Sequence, residues 1–199
     1  MRTVAELTKI DDLAPYRSVW SHLLKKTTDA GFFQTADWLE AYWRHHGPGQ
    51  TLRVLIVSEG GEPVGILPLV VRTEQTRVGR VRVLTYPLHD WGSFYAPIGP
   101  DPAATLAAGL EHVRRNRRDW DLMDVRWADR TRPEIAQTPE IMRSAGFPAQ
   151  EGVWAQTAIV EMSTTWEQYW ASRPEKWRRN VGRLEHRLAE RGEVTHVRY

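Results

Sequence analysis

The stretch TLRVLIVSEGGEPVGILPLVVRTEQTRVGRVRVLT, residues 51–85, holds the densest set of strand signals in the chain. Residues 52–57 and 64–71 are apolar at odd and even positions alike, so each reads as a strand covered on both faces. Between them Ser58-Glu59-Gly60-Gly61-Glu62-Pro63 is a polar turn of hairpin length, and its glycine pair supplies the positive-φ residues such turns need. The third run, 78–85, sets Arg80, Arg82 and Leu84 against Val81, Val83 and Thr85, the pattern of a strand with one less buried face. Three such runs joined by short turns predict an antiparallel meander.

Upstream, residues 3–10 read as a short first strand. Asp11 and Asp12 then offer N-cap carboxylates to a helix carrying Leu13, Tyr16, Val19, Trp20, Leu23 and Leu24 on one stripe. Gly31 and Phe32-Phe33 break that pattern, and Thr35 caps a second helix with Trp38, Leu39, Tyr42 and Trp43 at helical spacing. Gly47-Pro48 ends it. His45 and His46 stand just before that glycine, where imidazoles complement a helix C-terminus; no further ligand with metal spacing stands beside them, so no metal site is predicted.

Downstream of the meander lies a long loop, 86–101, rich in proline and containing His89-Asp90-Trp91-Gly92-Ser93-Phe94-Tyr95. Aromatic, polar loops on a rigid sheet often carry function. A helix over 103–116 follows, with Leu106, Leu110 and Val113 inward and the run Arg114-Arg115-Asn116-Arg117-Arg118 as its solvated end. Residues 120–127 alternate as a strand, Met123, Val125 and Trp127 against Leu122, Asp124 and Arg126, and are placed beside 78–85. A carboxylate such as Asp124, if buried, needs a partner, and Arg126, Arg80 and Arg82 are the candidates. A helix over 139–145, a strand over 153–162 and a helix beginning at Ser163 or Thr164 complete this part.

Residues 174–191 carry the clearest helical pattern, with Trp177, Val181, Leu184 and Leu188 on an apolar stripe beside Lys176, Arg179, Arg183 and Arg187. Seven basic and three acidic residues give 173–191 a charge of +4. Gly192 ends the helix, and 193–199 alternates like the opening of a new strand. A strand there and an apolar stripe before it both need a cover, so residues 1–172 are expected to form one domain and 173–199 the start of a second.

Composition narrows the classes without choosing among them. The chain has 199 residues, 41% of them hydrophobic, and a net charge of +2, which favours no polyanionic partner overall. Arginine supplies 23 of the 27 basic residues. The absence of cysteine excludes disulfides, thiol nucleophiles and cysteine-type zinc sites. Neither a signal-peptide pattern at the start nor an apolar run approaching the roughly 20 residues of a membrane span is present, so the expectation is a soluble, cytoplasmic protein.

The element order, strand, helix, helix, meander, helix, strand, helix, strand, resembles the GNAT acyltransferase fold: α/β, a mixed sheet with an antiparallel meander flanked by helices. In wording, FFQTADWLEAYWRHHG, LRVLIVSEGGEPVGILPLVVR, WDLMDVRW and SRPEKWRRNVGRLEHRLAERGEV resemble the cellulose-biosynthesis acetyltransferase-like proteins called CelD/BcsL, which are similar to the Fem aminoacyltransferases in pairing two GNAT-like halves. The resemblance implies transfer from acetyl-CoA or another acyl-CoA to a small-molecule, saccharide or amine acceptor, with the C-terminal half as partner and as the better place for chemistry. It would make His89 and Asp90 the candidate acid–base residues, and Trp91, Tyr95 and Asp124 the candidate acceptor contacts. GNAT enzymes hold the donor pyrophosphate on an R/Q-x-x-G-x-G/A turn at a helix N-terminus. Here HDWGSFYAPIGPDPAAT stands in that place without the motif, so a donor site within 1–172 is not expected. Two other classes remain open: a binding module placing Lys176, Arg179 and Arg183 on phosphates of nucleic acid or a sugar nucleotide, and a stand-alone GNAT-like enzyme with a divergent donor site.

Overall fold

The computed structural model describes residues 2–89, 92, 94–116, 118–156, 158, 160, 162–193 and 195. Five strands, β1 (Arg2–Leu7), β2 (Thr51–Glu59), β3 (Glu62–Thr76), β4 (Gly79–Thr85) and β5 (Leu122–Asp124), lie in one sheet in chain order. β1 to β4 pair antiparallel. β5 is parallel to β4, with Val83, Leu84 and Thr85 opposite Leu122, Met123 and Asp124. The fold is therefore α/β with a mixed sheet built on the meander, and the 120–127 run does lie beside 78–85. It is shorter than its alternation implies, ending at Asp124, and Trp127 beyond it stands at φ +67.

The β2–β3 turn is tighter than six residues. Gly60 and Gly61, at φ +60 and +91, make it alone, and Glu59 pairs with Glu62. Both values are those of a two-residue turn whose twist matches the flanking strands. Pro63 is accommodated where the register shifts between Val57 and Ser58, a bulge that spares the missing N–H.

Helices cover both faces. The chain enters by a 3₁₀ segment (Ile10–Tyr16) before α1 (Arg17–Lys25), because Pro15 cannot donate to a helical ladder. Asp11 and Asp12 are thus not N-caps; Lys9 holds that position, without a side-chain cap bond. Thr35 does cap α2 (Ala36–His46), its Oγ1 accepting from Trp38 N–H at 3.0 Å. Leu13, Trp20, Leu23, Leu39 and Tyr42 pack on Leu52, Val54, Ile56, Ile66 and Val70. On the other face Leu106, Leu110 and Val113 of α3 (Pro102–Arg115) pack on Leu55, Leu67, Val71 and Leu84. α3 sits close: a Cβ on Gly109 would come within 2.4 Å of Leu67 Cδ2. Two short helices, α4 (Pro133–Ala136) and α5 (Thr138–Ser144), follow β5.

The chain falls into two compact units, Met1–Trp154 and Ala155–Tyr199. The boundary read from the sequence, at 172/173, marks where a second domain would begin and is a different quantity. No strand forms among the described residues of 153–162. Apolar alternation sets the faces of a strand but does not supply the edge it must pair with. The second unit contains α6 (Trp166–Ala171), capped by Thr165, and α7 (Glu175–Ala189). Trp166, Tyr169, Trp170 and Trp177 form a chain of ring contacts at 5.4–5.7 Å. Of the strand expected over 193–199, residues 194 and 196–199 lie outside the described residues.

Candidate functional site

β3 is long enough to serve two partners in succession. Glu62–Val71 pairs with β2, whereas β4 meets only Val70–Thr76. The β3 edge before Val70 is therefore left for another segment, and the loop after β4 returns to fill it. Ile66 and Ile98 exchange two hydrogen bonds of 2.8 Å. Gln34 Nε2 donates to the Ala96 carbonyl at 3.1 Å, and Gly99 N–H donates to Thr27 Oγ1 at 2.8 Å. Several described residues of the proline- and aromatic-rich 86–101 loop belong to the core. Tyr86, Leu88, Tyr95 and Ile98 are each 2% exposed or less.

Where this segment leaves β4 it runs along α2, from Trp38 to His46. Trp38 Nε1 donates to the Pro87 carbonyl at 3.0 Å, and Arg72 Nη1 to the Leu88 carbonyl at 2.8 Å. His89 is exposed, and its ring stacks on His46 with 4.8 Å between centroids and 10° between planes. Trp38, Tyr42 and His46 recur every fourth residue on one side of α2, so they form a ladder of rings ending at His89. Partial burial, the His89 ring, His45 and the Arg72 guanidinium together hold His46 below the ordinary imidazole value.

Beside this pair, on the same sheet face, lies a closed set of charges. Arg72 Nε donates to Glu74 Oε1 at 2.8 Å; Arg126 Nη2 reaches Glu74 Oε2 at 3.2 Å and Asp124 Oδ2 at 2.5 Å. The register puts Thr85 opposite both Val70 and Asp124, so its hydroxyl shares this face. Thr85 is 1% exposed and its Oγ1 has no hydrogen-bond partner among the described residues. Burial raises the Glu74 carboxyl, but Arg72 and Arg126 outweigh it and hold it below the usual range.

Of the residues singled out from sequence, His89 and Asp124 stand at this end of the parallel pair. Asp124 has the partner it needed, Arg126. Tyr95 is core: its ring lies 4.7 Å from that of Tyr86, and burial pushes both phenols upward. Asp90 and Trp91 lie outside the described residues. Lys176, Arg179 and Arg183 line an open groove on α7 with Pro174, Trp177 and Asn180. Arg183 donates to Asn180 at 2.8 Å. Arg72, Thr85 and Trp38 were not predicted. His46 was read only as a helix end, although its i+4 spacing from Tyr42 was in plain view. Among the described residues no three His, Asp or Glu side chains form a metal-binding group, and no helix is long and apolar enough to cross a membrane.

No family model and no curated protein matches this chain. Among solved structures it is similar to the crystal structure of a probable acetyltransferase, at 15% identity and a TM-score of 0.34 over 83% of this chain and 99% of that one. That likeness is too slight to carry any residue across.

The donor implied by the sequence resemblance can be tested on the residues themselves. In an acyl-CoA site of that kind the pyrophosphate takes the free N–H groups of the helix after β4. Here Asp101 Oδ1 already accepts from Ala104 N–H at 2.9 Å, and Pro102 has no N–H to offer. An incoming phosphate would have to displace a carboxylate of its own sign. The cleft that could open beyond paired β4 and β5 is closed as well, since Tyr95 N–H donates to the Trp127 carbonyl at 3.0 Å. The residues of the first unit do not fit this group.

Proposed function

We propose that this chain is the acceptor-side lobe of a two-lobed GNAT-type acyltransferase, with the donor bound by a second lobe. On this reading it belongs with the CelD/BcsL-like proteins, and its acceptor is a polysaccharide, a cell-envelope component or another amine or hydroxyl compound. The observation that carries the reading is the combination of a GNAT-like strand order, with its parallel β4–β5 pair, and a helix N-terminus already filled by Asp101. His89, exposed at the end of that pair, takes the proton of the attacking amine or hydroxyl, as a general base must. His46 holds the ring in place. Asp124, Glu74, Arg72 and Arg126 neutralise one another and leave the face suited to an uncharged nucleophile.

Calorimetry with acetyl-CoA on the 199-residue chain is expected to give no saturable heat into the millimolar range. A micromolar isotherm would replace this reading by that of a stand-alone acetyltransferase. In parallel, amino sugars and neutral saccharides titrated against isotopically labelled protein should shift the His89 imidazole resonances. If none does, the acceptor-side assignment fails.

A second reading, a phosphate-binding module, is favoured by the groove that Lys176, Arg179 and Arg183 line beside Trp177. Binding through these cations would weaken steeply between 50 and 200 mM salt, on the order of tenfold or more, and vanish in R179E/R183E. Affinity for an oligonucleotide or a sugar nucleotide that ignores salt, or is absent at low salt, removes this reading.

A further inference from the structure

α7 differs from the other long helices of the chain in what its apolar stripe meets. Trp20 and Leu23 on α1, Leu39 and Tyr42 on α2, and Leu106, Leu110 and Val113 on α3 are all buried in the two cores. On α7 no residue is buried: Leu184 and Leu188 are each 52% exposed and Trp177 39%. Trp177, Leu184 and Leu188 follow one another at steps of seven and four residues, and so do Lys176, Arg183 and Arg187. That spacing sets each trio along one line of the helix, and because each cation precedes its apolar neighbour by one residue, the two lines run about 100° apart. A basic edge thus accompanies the apolar stripe along the helix. Arg183 donates to the neutral Asn180 amide at 2.8 Å. The acidic residues of α7 stand elsewhere: Glu175 is 3.9 Å from Arg179, and Glu185, on the other flank of the stripe, lines a shallow groove with Trp166 and Trp170.

We propose that α7 is an interfacial helix, lying in the plane of an anionic lipid surface with Trp177, Leu184 and Leu188 toward the acyl chains and Lys176, Arg183 and Arg187 on the headgroup phosphates. The pairing of the two lines selects this partner. A soluble phosphate ligand would take the cations and leave both leucines in water. A second copy of the helix would cover the leucines but bring together two segments that each carry +4. An anionic bilayer surface answers both lines at once, with acyl carbon for the stripe and phosphate for the edge. Trp177 has the amphipathic ring that settles at headgroup level, and the long arginine stems reach from the apolar zone back to the phosphates. At 15 residues α7 is about 22 Å long, too short and too charged to cross a membrane, so it lies on one.

The proposal concerns the second unit alone, and no acyl donor or acceptor enters its test, so it and the acyl-transfer reading stand or fall separately. Flotation of the 199-residue chain with vesicles reads it. Phosphatidylcholine vesicles containing about a third phosphatidylglycerol should carry the protein at low salt, and vesicles of phosphatidylcholine alone should not. A cation near such a surface contributes roughly fivefold, so R183Q/R187Q should lower partitioning at least tenfold. L184Q/L188Q keeps every charge and should lower it at least tenfold as well. All four positions are exposed, so both variants should keep the circular dichroism and melting of the wild type. No flotation on the anionic vesicles overturns the proposal. So does flotation that L184Q/L188Q leaves intact, which would reduce α7 to a site for phosphate alone and favour a nucleic acid or sugar nucleotide. A lipid-free dimer in sedimentation velocity that L184Q/L188Q abolishes also overturns it, since a second copy would then be the cover.

Discussion

Ile66→Asp is expected to abolish cooperative folding. Ile66 is fully buried at the centre of β3, with Ile56 opposite on β2 and Ile98 on its other edge, beneath the side chains of α1 and α2. An unpaired carboxylate there would sit among Ile56, Val70 and Ile98, and both the lost packing and the stranded charge weigh against the fold. The loss should exceed about 4 kcal/mol, a large part of the 5–15 kcal/mol that holds a typical domain together. Ile66→Val removes one methylene and should cost only about 0.5–1.5 kcal/mol. Thermal unfolding by circular dichroism checks the pair. An aspartate variant that melts within a few degrees of wild type would show that this strand is not covered on both faces.

Glu6→Ala is expected to cost about 3 kcal/mol, because it removes both carboxylate oxygens onto which a buried guanidinium forks and leaves it Asp119 alone. Arg53 on β2 is 5% exposed and forks onto Glu6, Nε to Oε1 at 2.6 Å and Nη2 to Oε2 at 3.1 Å. The same carboxylate meets His112 Nε2 on α3 at 2.8 Å, and Arg53 Nη1 reaches Asp119 before β5 at 3.2 Å. One cluster thus ties together β1, β2, α3 and the approach to β5. Burial pushes the Glu6 carboxyl up, but the bonds from Arg53 and His112 outweigh it, and the net value lies below the ordinary one. With a folded value below the unfolded one, this contribution is complete above about pH 4.5 and is lost as pH falls through the folded value. Urea midpoints measured from pH 3 to 7 should therefore rise with pH in the wild type and rise less in Glu6→Gln. Equal slopes would mean that the cluster is not held by charge.

The two variants also mark what could be read in advance. Residues 52–57, Arg53 apart, and 64–71 are apolar at odd and even positions alike, the pattern of a central strand covered on both sides. The paired glycines at 60 and 61, the threonine at 35 and the glycine after α2 are likewise local signals with local causes. They place turn, cap and helix end without reference to the rest of the chain. The placement of 120–127 beside 78–85 was legible too, whereas the parallel direction of that pair comes from the structure.

What the local pattern did not contain is which partner each element would meet. Arg53 inside an apolar strand announces that some carboxylate must answer it, but Glu6, 47 positions earlier, is selected by the β1–β2 register. The 86–101 loop reads as a candidate functional loop from its aromatic and polar residues. Tyr86, Leu88, Tyr95 and Ile98 within it are buried, and the β3 edge beyond its pairing with β4 is bonded by Ile98. Of the run 153–162, residues 157, 159 and 161 lie outside the described residues, and the described ones form no strand. His46 and His89, 43 residues apart, become a pair only when α2 and the end of β4 are brought against each other. Periodicity along the chain determined the elements and their buried faces, whereas the contacts that hold charges, close the loop and build the site are properties of distance in space.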